Sequence, residues 1–149
     1  LCQNGIDPRT NQSIHLFSYM LHGLSRVYTE KIEKALFIGM GVGIVPMQMA
    51  GEGVEVDVVE INPSVVPLAE RHFGFKPERV RLYIDDGRHF LNECREGYDT
   101  VLLDAFLGDS SPSHLMTREA FASIRKVLRP GGTLVINSFG NLNPGFQSS

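Results

Sequence analysis

Apolar positions in this chain follow two rhythms. From Asn11 to Val27, Ile14, Phe17, Met20, Leu21, Leu24 and Val27 recur at offsets of three and four. That spacing puts them on one face of an amphipathic helix. Further on, the apolar residues gather into short runs. These predict strands over Ala35–Ile38, Val54–Glu60, Val80–Ile84, Thr100–Asp104 and Thr133–Ser138. Helix-compatible stretches lie between them. Ile44 to Ala50 follows the first strand. Asn62-Pro63 reads as an N-cap with proline at the first helical position, opening a helix to about Phe73. Pro67 lies inside that helix and predicts an irregular first turn. Asp86-Gly87 turns into a short helix over Arg88–Cys94. Thr117 caps a helix to about Leu128, and Pro130-Gly131-Gly132 stops it.

Strands that alternate with helices predict an α/β domain with a parallel sheet covered on both faces. Continuous apolar strands agree, because both of their faces are buried. In such a sheet the ligand lies at the carboxyl ends of the strands. Those ends carry Gly39, Glu60, Asp85 with Asp86, Asp104 and Ser138. Only the first lacks a polar side chain, and there a glycine loop begins.

That loop, Gly39-Met40-Gly41-Val42-Gly43, suits a nucleoside site. Glycine lets backbone turn tightly and approach a ligand with no Cβ in the way. The following helix offers N-terminal N–H groups to the same spot. A dinucleotide fingerprint, Gly-x-Gly-x-x-Gly, needs its third glycine at position 44, which is Ile. The pattern is Gly-x-Gly-x-Gly instead. By itself it would serve as a tight strand-to-helix turn without a ligand. Glu60, 17 residues beyond Gly43, argues for a ligand, since a carboxylate there can accept ribose hydroxyls.

The 149 residues suffice for one domain, divided here into an N-terminal segment and helix (1–29) and a cofactor-binding body (30–149). With 42% hydrophobic and 21% charged residues, the chain can bury a core. A net charge of −3 argues against a nucleic-acid footprint. Cys2 and Cys94 show no metal spacing and no disulfide framework, which predicts free thiols in a reducing compartment, the cytoplasm. No apolar run reaches a membrane-spanning length, and no signal peptide is visible. The chain opens on Leu1, which predicts a fragment or a processed form.

Of the five histidines, His15, His22, His72 and His89 read as surface or hydrogen-bonded residues. His15 and His22 lack further ligands for a zinc site, and no metal is expected. His114, in the loop after Asp104, is a candidate substrate contact. Asp109 is either a loop acid or a second anchor for a substrate amine. Asp85 is either a helix cap or a site residue. Ser110-Ser111 lacks the glycines of a nucleophile elbow. Met40, Met47 and Met49 read as core or pocket lining.

Several motifs occur in order: Gly39-x-Gly41-x-Gly43, Val58-Val59-Glu60-Ile61-Asn62-Pro63, Asp86-Gly87-Arg88-x-Phe90-Leu91, Tyr98-Asp99-x-x-x-x-Asp104 and Leu128-Arg129-Pro130-Gly131-Gly132. The first resembles the opening motif of class I S-adenosylmethionine-dependent transferases. Together they resemble the spermidine/spermine synthase family, the polyamine aminopropyltransferases, over about residues 30 to 140. Asp104-Ala105-Phe106 and Pro112-x-His114-Leu115-x-Thr117-Arg118-Glu119-Ala120-Phe121 are more similar to bacterial spermidine synthase-like proteins, some of them fused to membrane transport segments.

The resemblance implies a Rossmann-like class I methyltransferase fold with strand order 3-2-1-4-5. It implies that Gly39, Gly41, Gly43, Glu60, Ile61, Asp86, Gly87 and Asp104 hold S-adenosylmethionine or its decarboxylated form. Glu60 would bind the ribose hydroxyls. Asp86 would accept from the adenine amino group, with the Gly87 backbone beside it. Asp104 would be catalytic, facing the reacting carbon and the incoming amine. An amine with a pKa near that of lysine, about 10.4, must lose a proton before it attacks, and a carboxylate can take it.

Departures from the family pattern carry information too. Family enzymes that make spermidine have an aspartate where this chain has Val42, and it holds the amine of the decarboxylated cosubstrate. Their Tyr-His-Glu cluster on the N-terminal helix corresponds to Phe17-Ser18-Tyr19, which leaves Tyr19 as a substrate candidate. The second acid of their Asp-x-x-Asp-Pro is displaced by two, to Asp109. The expected activity is transfer of an aminopropyl group to a small amine acceptor. The alternatives are methyl transfer and a non-catalytic nucleoside-binding module. No nucleic-acid or membrane partner is expected. The strands that normally close such a sheet are expected to be missing after Ser138. That would leave an edge on Thr133–Ser138, covered by absent residues or by a second copy in a homodimer.

Overall fold

The computed structural model describes residues 14–27, 29, 31–104 and 113–137. The helices are α1 (Ile14–Val27), α2 (Ile44–Gly51), α3 (Val65–Phe73), α4 (Gly87–Glu93) and α5 (Arg118–Val127). The strands are β1 (Lys34–Ile38), β2 (Glu55–Glu60), β3 (Arg81–Ile84), β4 (Tyr98–Leu103) and β5 (Leu128–Ile136). All strand pairs are parallel, in the order β3-β2-β1-β4-β5. This is the expected sheet.

Strand alternation divides the core between the two faces. Ala35, Phe37, Val56 and Val58 pack with Leu21 of α1, Met49 of α2 and Ala69 of α3. Leu36, Ile38, Val59, Val101 and Leu103 pack with Leu91 of α4 and with Ile124 and Val127 of α5. β1 is buried at every position. It therefore holds the glycine loop that follows it on a rigid base. Among the described residues, no helix is long and apolar enough to cross a membrane.

Several element ends shift by a residue or two, the start of β4 at Tyr98 among them, and two boundaries differ for a clear physical reason. α3 starts at Val65, not at Asn62-Pro63. Asn62 first makes a turn, its Oδ1 accepting from Ser64 N at 3.0 Å. Pro67 then occupies the third helical position, where an N–H would have no intrahelical partner, so it costs the ladder nothing. At the other end of the chain, β5 starts at Leu128, directly after α5. Pro130-Gly131-Gly132 lies inside the strand. A register shift between Tyr98 and Thr100 takes up the extra residues, because Tyr98 pairs with Leu128 and Thr100 with Thr133. Proline is tolerated there because β5 pairs only with β4 among the described residues, as an edge strand would.

A buried ionic cluster near the N-terminal ends of the strands was not anticipated. Asp57 is 0% exposed. It accepts from Tyr98 Oη at 2.7 Å and from Arg81 Nε and Nη2 at 2.6 and 3.0 Å. Burial, with Asp57 beside it, pushes the Tyr98 phenol far up. Hydrogen bonding to Asp57 raises Arg81. The cluster ties β2, β3 and β4 together away from the ligand edge.

Candidate functional site

At the other edge, the strand ladder continues one step past the strands before the loops diverge. Gly39 N donates to Val59 O, Asp85 N to Glu60 O, Asp104 N to Ile38 O and Asn137 N to Leu103 O, all within 2.8–3.1 Å. These bonds fix the backbone at each tip. The side chains there converge on one cleft.

Glu60 is buried at its floor. Its Oε2 accepts from Met40 N at 3.1 Å and its Oε1 from Asn62 N at 2.8 Å. Each carboxylate oxygen has a second lone pair. Glu60 therefore braces the glycine loop against the β2 loop and can still accept a pair of ligand hydroxyls.

The glycines have different reasons. Gly41 has φ +55°, and a Cβ there would lie 2.8 Å from Asp104 Oδ2. The loop thus passes directly over the Asp104 carboxylate. Gly43 has φ +81°, and its Cβ would lie 2.6 Å from the Phe75 ring. Close packing on Phe75 accounts for Gly43, which does not line the cleft. Gly87 is required by Ile38, whose Cγ2 would be 2.5 Å from a Cβ.

Asp86, not Asp85, caps α4. Its Oδ1 accepts from Arg88 N at 2.8 Å and His89 N at 3.1 Å. Its Oδ2 lies 3.2 Å from His114 Nε2. Asp85 accepts from Asp86 N and pairs with His89 Nδ1, each at 2.8 Å. The His89 bond is the main cause that lowers the Asp85 carboxyl.

Asp104 stands at the tip of β4. Burial raises its carboxyl; a bond from Asn137 Nδ2 to Oδ1 at 2.8 Å opposes this, and the charge of Glu60 adds to it. A raised carboxyl is a stronger base once ionised, which suits it to take a proton from an amine. Asn137 escaped the sequence reading. The parallel register could have found it, since Leu103 pairs with Ile136 and the next residues, Asp104 and Asn137, come side by side.

Gly39, Gly41, Glu60, Ile61, Asp86, Gly87, Asp104 and His114 all line this cleft. Ile38, Val59, Val65 and Leu115 supply an apolar wall that had not been singled out. The enclosed volume, ≈ 200 Å³, falls below the roughly 300–1,000 Å³ of a complete small-molecule site. The described walls are therefore part of a site. Four carboxylates, Glu60, Asp85, Asp86 and Asp104, border the cleft, and no lysine or arginine does among the described residues. The cleft suits a cation. Tyr19 falls on α1, and Asp109 lies outside the described residues.

A family model described as the spermine/spermidine synthase domain matches residues 15–143. A polyamine aminopropyltransferase of Vibrio vulnificus is 40% identical over 119 residues, covering 76% of this chain and 40% of that protein. An N-terminal histidine N-methyltransferase of Emericella nidulans is 31% identical over 127 residues, covering 82% of this chain and 22% of that protein. A spermidine synthase in complex with the transition-state analogue AdoDATO superposes with a TM-score of 0.66 at 20% identity, covering 76% of this chain and 41% of that one. The chain thus spans less than half the length of the relatives it matches.

Proposed function

This chain belongs to the spermine/spermidine synthase family, and from that membership we propose that it forms the cosubstrate-binding part of an aminopropyltransferase. Its cosubstrate is decarboxylated S-adenosylmethionine and its acceptor a small amine. The observation that carries the reading is the meeting of Glu60, Asp86 and Asp104 in one cleft bordered by carboxylates and by no basic side chain. A decarboxylated sulfonium and an ammonium acceptor are both cations, and neither brings a carboxylate into that field.

Glu60 holds the ribose, Asp86 the base, and Asp104 the acceptor nitrogen. The sulfonium supplies an activated carbon and a neutral thioether leaving group. Asp104 orients the amine and takes its proton. The nitrogen forms a bond to the carbon as the C–S bond breaks, and that electron pair goes to sulfur. The setting we infer is the cytoplasm.

Val42 favours a second reading, methyl transfer from S-adenosylmethionine. An apolar residue in the glycine loop leaves the cosubstrate's own amine without an acidic partner there. Calorimetry against both cosubstrates separates the two. The proposal expects tighter binding of the decarboxylated form, and tighter binding of the carboxylated form would give the site to methyl transfer. Binding without any product would leave a nucleoside-binding module.

A further inference from the structure

We propose that His114 is a positioning residue for base recognition: it fixes the Asp86 carboxylate so that Oδ2 faces the ligand's exocyclic amino group. The inference rests on the adenosyl-site reading above and assigns His114 to the base end of the cleft, away from the acceptor. Asp86 Oδ1 is committed to the α4 amides of Arg88 and His89. Recognition of a base therefore falls to Oδ2, and carboxylate torsions about this bond are broad. His114 Nε2, 3.2 Å away, is a third contact that fixes the plane. Oδ2 has a further lone pair for a ligand N–H.

The His114 backbone is held by other means. Arg88 Nη1 donates to the His114 carbonyl and to Thr117 Oγ1, each at 3.1 Å. Leu115, next in the chain, is 3% exposed and sits against Gly87. The imidazole itself is half exposed and reaches over the cleft wall. Its removal leaves the turn anchored, so the effect of substitution should fall on Asp86.

The test is calorimetry with 5′-methylthioadenosine and 5′-methylthioinosine on the wild type, His114→Ala and His114→Gln. Inosine presents an oxygen where adenosine presents an amino group, and a carboxylate cannot accept from it. The wild type should prefer the adenosine ligand by roughly tenfold, the effect of one hydrogen bond to a charged acceptor. His114→Ala should cut that preference to about threefold or less by weakening the adenosine ligand alone. Glutamine, which can donate an N–H from a similar reach, should restore it. Unchanged discrimination in His114→Ala, or no rescue by glutamine, would overturn the positioning role while the adenosyl site stands. A wild type that binds both nucleosides alike would remove Asp86 as the base reader, and this inference with it. A wild type that binds neither would overturn the adenosyl-site reading itself.

Discussion

Replacing Asp104 with asparagine separates what this carboxylate does for chemistry from what it costs the fold. Asparagine keeps the shape, and its Oδ1 can still accept the 2.8 Å bond from Asn137. What disappears is a charge that burial disfavours and that Glu60 opposes. The sign follows from linkage. A carboxyl raised in the folded state stabilises the fold most at low pH, below its unfolded value. That contribution is lost as pH rises through the raised folded value. At neutral pH the ionised group is therefore a cost, and removing it should stabilise the protein by on the order of 1 kcal/mol. For a chain of this size that is a rise in melting temperature of about 2–5 °C. Turnover should fall by on the order of 10²–10⁴, the usual worth of a general base, with cosubstrate affinity nearly unchanged. Thermal denaturation, calorimetry and product analysis on one preparation read all three. A variant that is less stable at neutral pH, or fully active, would show that Asp104 is neither a buried charge that costs stability nor the base.

Other expectations follow from the same contacts. Glu60→Gln should weaken adenosyl binding about tenfold or more while the fold survives, because bonds to the carboxylate are worth roughly 1.5–3 kcal/mol; titration calorimetry checks this. Gly41→Ala should destabilise the chain by about 1–3 kcal/mol and abolish turnover, since the backbone has φ +55° and the new methyl would meet Asp104; denaturant titration and an activity assay read both. Asn137→Ala removes the bond that lowers the Asp104 carboxyl, so the acid limb of the kcat/KM profile should move to higher pH. Tyr98→Phe leaves Asp57 with one donor fewer and should cost about 1–3 kcal/mol in denaturant titration without moving cosubstrate affinity.

Features set by local sequence were legible before the structure. Short apolar runs mark the strands, and the acids that end them border one cleft. The unreadable parts depend on pairing between distant segments. Asn137 matters only because β5 lies beside β4 in one particular register. Gly43 looked like part of a ligand loop, yet its missing Cβ is required by Phe75, 32 positions away. Asp85 and Asp86 are equivalent candidates in sequence, and only the direction of α4 makes the second one the cap. Asp57 lies inside the run that predicts the second strand, and its partners Arg81 and Tyr98 come from two other strands. Pro130-Gly131-Gly132 looked like a stop, but β5, which pairs only with β4 among the described residues, carries it as strand across a register shift.

The proposed role of Asp104 is to serve a transfer from sulfonium to amine in this cleft. The test supplies the protein with a diamine and, in parallel reactions, decarboxylated S-adenosylmethionine or S-adenosylmethionine, and follows the products by mass spectrometry. The decarboxylated cosubstrate should give aminopropylated amine and 5′-methylthioadenosine in equal amounts, both lost in Asp104→Asn. Methylated acceptor with S-adenosylhomocysteine, formed only from the carboxylated cosubstrate, would contradict it.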